Sequence, residues 1–266
     1  MKILENINNF DLSDIFECGQ CFRFSKKADG SYEGIAFGRY LRVYQETNKI
    51  YFDAGPGDFD TVWRNYFDLD RDYKPIFELL RQDEILKKAS DFCPGLRILK
   101  QEPFECLISF IISQNNNIPR IKKIIERLCE NFGEKIAGTV YYAFPTPEKL
   151  AGLDLSDLEV IKSGFRARYI LEAAKRIHSG ETDLGLIYGM SAASGAAYLK
   201  KITGVGDKVS ACVMLFGYNK LDAFPVDVWI KKVLEKYYPN YPDGCDFGGY
   251  AGVANAYLFY YERNNG

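Results

Sequence analysis

Residues 199–212 read LKKITGVGDKVSAC and carry the most informative pattern of the chain. It predicts a helix that ends, a Gly-Val-Gly turn, and a second helix that begins. Gly204 and Gly206 allow the turn to adopt positive φ and to approach another surface closely. The first amides of the second helix then point outward at the positive end of a helix dipole, which suits a phosphate. By itself, such a turn is at least as typical of a plain connection between two helices.

A second stretch, AFPVDVWI at residues 223–230, adds a carboxylate to this pattern. Pro225 disfavours helical backbone at Phe224, which places Asp227 as the N-cap of the helix that follows. One interpretation is that Asp227 only caps this helix. The functional alternative is that its carboxylate also faces the turn that carries Lys208.

The composition and charge limit the class of protein. Hydrophobic residues make up 47% and charged residues 26% of the 266 residues, as in ordinary soluble globular proteins. The net charge of −2 argues against a protein that coats DNA through bulk charge, but it allows a local basic surface. The sequence has neither an apolar run long enough to span a membrane nor the apolar core of a secretory signal. We therefore expect a cytoplasmic protein, associated with the nucleoid if the source is prokaryotic.

Cysteine and histidine usage indicates reduced thiols and predicts no metal and no other cofactor. The seven cysteines include one Cys-x-x-Cys pair, Cys18 and Cys21, without a second pair at the spacing of zinc or iron–sulfur sites. His178 is the only histidine, which excludes sites with two histidine ligands and disfavours a Ser-His triad.

The pattern of apolar residues changes near residue 95. Short aromatic and β-branched runs predict an antiparallel meander between residues 21 and 52, and helical spacing at 60–90 predicts a cover for one face of that sheet. Beyond residue 95 helices are predicted at 104–113, 119–132, 156–163, 167–178, 191–200, 208–216, 228–237 and 246–262. We therefore predict an α+β fold, with a sheet and helix domain at residues 1–95 and an all-α domain at residues 96–266.

The hairpin glycines, Lys208 and the Pro-Val-Asp segment together resemble the helix-hairpin-helix (HhH-GPD) glycosylase superfamily, and in particular its 8-oxoguanine DNA glycosylase/lyase branch. Further segments match that branch in order, namely GQCFR at 19–23, SQNNNI at 113–118 with Arg120, GFRARY at 164–169, and YAG at 250–252 with Phe259. The resemblance implies a TBP-like N-terminal domain and a helix-hairpin-helix glycosylase domain. It also implies a monomer that acts on double-stranded DNA containing 8-oxoguanine.

The resemblance assigns the chemistry to Lys208 and Asp227. Enzymes of this kind extrude the damaged nucleotide into a pocket, because a base inside a duplex cannot be attacked where it lies. Lys208 would then attack C1′ of the sugar as a neutral amine, while ionised Asp227 would stabilise the oxocarbenium-like sugar. The resulting Schiff base permits β-elimination, so both glycosylase and abasic-site lyase activity are expected without a metal or redox cofactor.

The resemblance also implies a lesion pocket. Gly19 matches a glycine whose carbonyl accepts a hydrogen bond from the N7 proton, which 8-oxoguanine has and guanine lacks. Cys212 and Phe259 match the residues that sandwich the flipped base, although core packing is the competing interpretation for both. Asn255 stands where relatives carry a glutamine that reads the Watson–Crick edge of the base.

Other matched residues are expected to contact the rest of the DNA. Asn115, Arg120 and Arg166 resemble the residues that fill the gap and hold the orphan cytosine. Phe165 stands where many relatives have tyrosine and is expected to insert into the duplex as an apolar wedge. Gly204 and Gly206 are expected to approach a DNA phosphate.

Two further positions bear on the phosphate contact. Trp229 replaces a histidine that is usual in eukaryotic members, which puts a phosphate contact at this position in doubt. The carbonyls of Lys200, Ile202 and Val205 match those that bind a structural cation near a phosphate in the family.

Two alternatives remain open from the sequence. A non-catalytic helix-hairpin-helix module would bind DNA through the same hairpin, but the presence of both Lys208 and Asp227 argues against it. A glycosylase for another damaged purine is the second alternative. Adenine-specific relatives usually carry four cysteines near the C-terminus, where this sequence has only Cys245.

Overall fold

The computed structural model describes residues 1–240 and 247–266. Its N-terminal part contains a five-stranded antiparallel sheet with the strand order β1-β5-β4-β3-β2. The strands are β1 (Lys2–Glu5), β2 (Phe24–Lys26), β3 (Tyr32–Ala36), β4 (Arg39–Glu46) and β5 (Lys49–Ala54). The predicted antiparallel meander is therefore confirmed. Edge strand β1 was not predicted, because it has no buried residue and so no alternating apolar face.

The sheet buries alternate residues under an aromatic cluster. Leu41 and Val43 of β4 are buried, as are Ile50 and Phe52 of β5, so the period of two selects one face of each strand. Fully buried Trp63 belongs to the same cluster as these four side chains. The helical cover predicted over 60–90 thus includes a segment that packs onto the sheet.

The remaining described chain is mainly helical. Its helices are α1 (Leu12–Glu17), α2 (Arg64–Tyr66), α3 (Lys74–Leu80), α4 (Glu84–Phe92), α5 (Pro103–Ser113), α6 (Ile118–Phe132), α7 (Pro147–Ala151), α8 (Arg166–His178), α9 (Ala192–Leu199), α10 (Asp207–Tyr218), α11 (Val228–Tyr237) and α12 (Ala251–Asn265). A π-helical turn, Phe59–Trp63, runs into α2. In the described ranges, no helix is both long and apolar enough to cross a bilayer.

Most predicted helices are confirmed. One is replaced by a 3₁₀ turn, and the predicted start of another lies outside the described residues. The helix predicted at 156–163 is instead a 3₁₀ turn, Asp157–Ile161, which ends at Lys162 in a left-handed conformation with φ +56°. Only Leu158 and Ile161 of this turn are buried, so its apolar face is too short to support a full helix. The first residue of the helix predicted at 246–262 and Cys245 lie outside the described residues.

Helices from both halves of the chain share the larger core. Helix α5 is buried from Phe104 to Ile112 and packs against α10, which in turn packs against α9. Helices α3 and α4 lie before residue 95, yet α4 packs against α12 near the C-terminus. The larger core is therefore continuous across residue 95. The predicted division into two domains at this residue stays a prediction.

The hairpin between α9 and α10 has the geometry that its glycines permit. Gly204 has φ +86°, and a Cβ atom at this position would lie 2.4 Å from the Tyr169 ring of α8. The hairpin is thus pressed against α8 by a contact that only glycine allows. Gly206 is the N-cap of α10 with φ −97°, and a Cβ there would meet nothing within 4 Å.

We expect Gly204→Ala to lower the free energy of unfolding by about 2 kcal/mol, because it combines left-handed strain with overlap on the Tyr169 ring. Gly206→Ala is the matched control in the same hairpin and is expected to change stability much less. Urea unfolding of both variants measures the difference. Equal losses in the two variants would show that the close contact with α8 does not matter.

Candidate active site

Two adjoining spaces lie where α5, α10 and α12 meet the Gly19 turn. The larger is a groove of about 1060 Å³, and the smaller is a cavity of about 60 Å³. The residues that line both are Gly19, Phe110, Lys208, Asp227 and Phe259. The cavity therefore adjoins the groove at the two residues predicted to be catalytic.

Lys208 lies in the first turn of α10 and is half-buried. Its Nζ donates a hydrogen bond to Ser113 Oγ at 3.0 Å and lies 4.9 Å from the centre of the Phe110 ring. None of the ion pairs found in the described ranges involves this amine. The amine is thus held by a neutral hydroxyl and a ring, an arrangement that leaves it uncommitted to a carboxylate. Sequence reasoning did not identify Ser113 or Phe110 as its partners.

Asp227 caps α11 and lines the cavity at the same time. Its Oδ1 accepts hydrogen bonds from the backbone amides of Trp229 and Ile230, each at 2.9 Å. Among the described residues, Oδ2 accepts none. Capping therefore uses one oxygen and leaves the other available in a residue that borders both spaces. The two interpretations of Asp227 are compatible.

Cys212 lies one turn after Lys208 and is buried in the cavity wall. Burial raises the pKa of its thiol to about 11, although Lys208 acts in the opposite direction. Burial likewise raises the pKa of Cys18, another residue of the wall, to about 12. Both thiols are therefore neutral near pH 7 and offer polarisable apolar surface instead of a nucleophile.

Gly19 forms part of both walls and cannot be replaced without displacing its neighbours. Its φ is +85°, and a Cβ atom there would lie 3.1 Å from Phe259 Cε1 and 3.4 Å from Arg263 Nη1. Since glycine has no side chain, the wall here consists of backbone atoms. No donor of the described residues bonds to the Gly19 carbonyl oxygen, so this acceptor is available to a ligand.

The buried side chain of Gln20 fixes the position of Gly19. Its Nε2 donates to the carbonyl oxygens of Ile15 at 2.9 Å and Arg97 at 2.8 Å, and its Oε1 accepts from the Leu99 amide at 2.8 Å. The Gln20 carbonyl accepts from Gln101 Nε2 at 2.7 Å. Sequence reasoning quoted this glutamine as part of a motif but gave it no role. Nothing in the spacing indicated these long-range partners.

The four predicted lesion-pocket residues, Gly19, Cys212, Asn255 and Phe259, all line the small cavity. Asn255 is buried, and its Nδ2 donates to the Pro225 carbonyl at 2.8 Å, beside the predicted catalytic aspartate. The structure thus brings these residues together with Lys208 and Asp227. Their contacts with a base stay predictions.

Arg166 joins two surface turns. Its Nε donates to the Gln114 carbonyl at 2.8 Å, its Nη2 to the Asn115 carbonyl at 2.8 Å, and its Nη1 to the Ser163 carbonyl at 3.0 Å. The side chain is buried and its guanidinium lies 4.4 Å from the centre of the half-exposed Phe165 ring. Arg166 therefore fixes the position of the exposed turn at Asn115 relative to the turn that carries Phe165. Direct recognition of cytosine by Arg166 stays a prediction.

Arg120 and Phe165 border a different space. Asn115 lines the groove, whereas Arg120 and Phe165 line a neighbouring hollow of about 600 Å³. The Arg120 side chain is exposed, and no described residue accepts a hydrogen bond from its guanidinium. Burial lowers the pKa of Arg166, and the charge of Arg120 lowers it further, which places the two cations close together. Arg120 is thus free to meet an external partner.

The remaining predicted positions lie on the same side of the molecule. Trp229 lines the groove, and Lys232 Nζ lies 4.7 Å from the centre of its ring. In the hairpin, the carbonyl of Ile202 accepts from the Val205 amide at 3.0 Å, so one of the three proposed cation ligands already has a partner. Cation binding at this turn stays a prediction. No cluster of acidic, cysteine or histidine side chains suited to a metal occurs in residues 1–240 and 247–266.

We expect Asp227→Ala to lower the free energy of unfolding by about 1 kcal/mol, because two α11 amides lose their acceptor. Asp227→Asn should cost less than half of that, since an amide oxygen can still cap the helix. Thermal or urea unfolding of both variants measures the difference. The capping description is wrong if the asparagine variant unfolds as readily as the alanine variant.

Comparison with protein families divides the chain into two matched parts. Residues 2–107 match the N-terminal domain of 8-oxoguanine DNA glycosylase. Residues 108–243 match the HhH-GPD superfamily of base excision DNA repair proteins. The second match contains Lys208, Asp227 and the hairpin.

Individual proteins are similar over most of their length. The N-glycosylase/DNA lyase of Saccharomyces cerevisiae is 32% identical over 267 residues, which cover 89% of this chain and 70% of the yeast protein. The probable N-glycosylase/DNA lyase of Methanothermobacter thermautotrophicus is 32% identical over 231 residues, covering 75% of this chain and 73% of that protein.

Solved structures agree with these relatives. The 8-oxoguanine glycosylase/lyase of Clostridium acetobutylicum, in complex with double-stranded DNA containing cytosine opposite 8-oxoguanine, superposes with a TM-score of 0.93. It is 43% identical, and the match covers 99% of this chain and 95% of that chain. The 3-methyladenine DNA glycosylase of Archaeoglobus fulgidus has a TM-score of 0.78 at 19% identity, a likeness in fold alone.

Proposed function

Because this chain belongs to the HhH-GPD superfamily of base excision DNA repair proteins, we propose that it removes 8-oxoguanine from duplex DNA and then cleaves the strand at the abasic site. The observation that carries this proposal is the shared wall of the cavity and the groove, which is lined by Asp227 and by Lys208, whose amine forms no ion pair within the described ranges. The groove offers a place for the DNA strand, and the cavity a place for the extruded base.

The first chemical step is assigned to Lys208. Its neutral amine attacks C1′ of the extruded nucleotide, forming a C–N bond while the bond to the base breaks and its electron pair leaves with the base. The proton that the attacking nitrogen then loses neutralises the departing base. Positive charge develops on the sugar during this displacement. The Asp227 oxygen that is not used for capping stabilises that charge by its negative field.

The second step cleaves the strand. Opening of the sugar ring converts the Lys208 adduct to a Schiff base, which makes the C2′ proton acidic. Loss of that proton expels the 3′ phosphate by β-elimination, and water then releases the lysine. The chain supplies the amine and the carboxylate for this sequence, and neither step changes an oxidation state.

The choice of lesion rests on Gly19 and on the relatives. The Gly19 carbonyl, which accepts no hydrogen bond from a described residue, suits the N7 hydrogen that distinguishes 8-oxoguanine from guanine. An unpaired buried acceptor costs about 1–3 kcal/mol when guanine is bound instead. The 8-oxoguanine glycosylase/lyase of Clostridium acetobutylicum is 43% identical to this chain, whereas the 3-methyladenine DNA glycosylase of Archaeoglobus fulgidus is 19% identical over the same share of it. Initial rates on duplexes with 8-oxoguanine, 3-methyladenine or mismatched adenine would separate these substrates.

The setting of the reaction is proposed from the sequence. We take the protein to act as a monomer on double-stranded DNA in the cytoplasm, associated with the nucleoid if the source is prokaryotic. Sedimentation with and without a lesion duplex would test the oligomeric state.

We expect wild-type protein to form a covalent adduct with an 8-oxoguanine duplex when borohydride reduces the Schiff base. Lys208→Gln should form no adduct and should lose strand cleavage by at least about a thousandfold, because the nucleophile is absent. Duplex binding should persist. Lys231→Gln is the matched control, since Lys231 also lines the groove but lies outside the cavity. Trapping of the Lys208→Gln protein would mean that another amine is the nucleophile.

We expect Arg120→Gln to reduce the preference for cytosine opposite the lesion by about tenfold, because an exposed guanidinium beside the Phe165 tip can donate to a base edge. Single-turnover rates opposite cytosine and adenine give this ratio. Arg127→Gln on the same helix serves as a control. An unchanged ratio would show that Arg120 does not read the orphan base.

A further inference from the structure

Arg263 connects the end of α12 to the wall of the groove. Its Nη2 donates to the Glu17 carbonyl at 2.7 Å, which ties α12 to the end of α1. Its guanidinium lies 5.5 Å from the centre of the Phe259 ring and 5.4 Å from that of Tyr260. Arg263 lines the groove together with Gly19 and Phe259, but no feature of the sequence had singled it out.

The other terminal nitrogen of Arg263 has no hydrogen-bond partner among the described residues. Nη1 is buried and no described residue accepts a hydrogen bond from it. It lies beside Gly19, since a Cβ atom on that glycine would be 3.4 Å from it. A buried donor without an acceptor is costly and uncommon, and a bound ligand is one of its ordinary explanations. This donor thus lies beside Gly19, whose carbonyl likewise accepts no hydrogen bond from a described residue.

The Phe259 ring packs near both Gly19 and the Arg263 guanidinium. Phe259 Cε1 would lie 3.1 Å from a Cβ atom on Gly19, so the ring packs directly on the glycine. The ring lines both the cavity and the groove, as Gly19 does. A base that enters the cavity therefore lies against Phe259 and Gly19, beside the part of the groove that Arg263 lines.

We propose that Arg263 is a specificity-determining residue, which donates a hydrogen bond from Nη1 to the C8 oxygen of the extruded 8-oxoguanine. This inference rests on the proposed function. On the lesion, the N7 hydrogen and the C8 oxygen are neighbours and form a donor–acceptor pair. On the wall, the Gly19 carbonyl and Arg263 Nη1 form the complementary pair. Guanine has a lone pair at N7 and a hydrogen at C8, so it mismatches both.

The inference is tested by binding to duplexes that differ only at this edge. The Lys208→Gln protein, which cannot turn over, is titrated with a duplex containing 8-oxoguanine or 9-deazaguanine opposite cytosine. 9-Deazaguanine keeps the N7 hydrogen but lacks the C8 oxygen. Adding Arg263→Met should weaken binding to 8-oxoguanine by about tenfold or more and leave 9-deazaguanine binding unchanged, because hydrogen bonds from charged donors are strong.

Lys231→Met is the control variant. It removes another groove cation and should weaken binding to both duplexes by the same factor. If Arg263→Met weakens binding to both duplexes equally, the inference is overturned. Such a result would mean that Arg263 only contacts a phosphate or only holds the Glu17 carbonyl. Unchanged binding of both would overturn it as well.

A second variant guards against misfolding. Arg263→Lys retains a cation but cannot reach the Glu17 carbonyl and the C8 oxygen at once, so a smaller loss, still selective for 8-oxoguanine, is expected. An unselective loss would contradict the inference. Failure of the wild-type protein to be trapped on 8-oxoguanine would reject the proposed function, whereas normal trapping with unaltered selectivity in both Arg263 variants would reject the role of Arg263 alone.

Discussion

The arrangement of the site depends on the buried carboxamide of Gln20. It bonds to the carbonyls of Ile15 and Arg97 and to the amide of Leu99, so the turn that contains Gly19 cannot shift by itself. The chain continues from Leu99 to Gln101, whose backbone amide donates to the Phe216 carbonyl of α10 at 2.8 Å. Each bond left unmade in this interior would cost about 1–3 kcal/mol. The acceptor in the wall and the helix that carries the amine are therefore held in one frame.

Local sequence patterns were sufficient for most of the fold and for the identity of the central residues. Apolar spacing predicted the long helices, because a helix with one buried face repeats its apolar residues at a fixed period. The hairpin, Lys208 and Asp227 were recognised by motif. Lys208 and Asp227 line one cavity, and Gly206 of the hairpin lines the adjoining groove. Strand β1 was missed because an exposed edge strand has no such repeat. The 3₁₀ turn Asp157–Ile161 was taken for a helix because two apolar residues fit either period.

Contacts between distant parts of the chain could not be predicted in this way. Ser113 bonds to Lys208 across 95 positions, and Arg263 bonds to Glu17 across 246. Spacing along one element carries no information about such pairs. Arg166 illustrates the difference most clearly, since its motif indicates a DNA contact while its donors are bonded to backbone carbonyls of two turns. The motif identified the residue, and only the packing revealed what it holds.

The neutral thiols of the cavity wall bear on how the protein endures the conditions that damage guanine. Sulfur is oxidised mainly as thiolate, and reactive cysteines are those that ionise readily. Burial raises the pKa of Cys212 to about 11 and that of Cys18 to about 12, so both thiols stay protonated near pH 7. Peroxide that reaches the cell therefore finds a poor target in this pocket. The cavity wall can therefore stay unoxidised under the same oxidative stress that damages guanine.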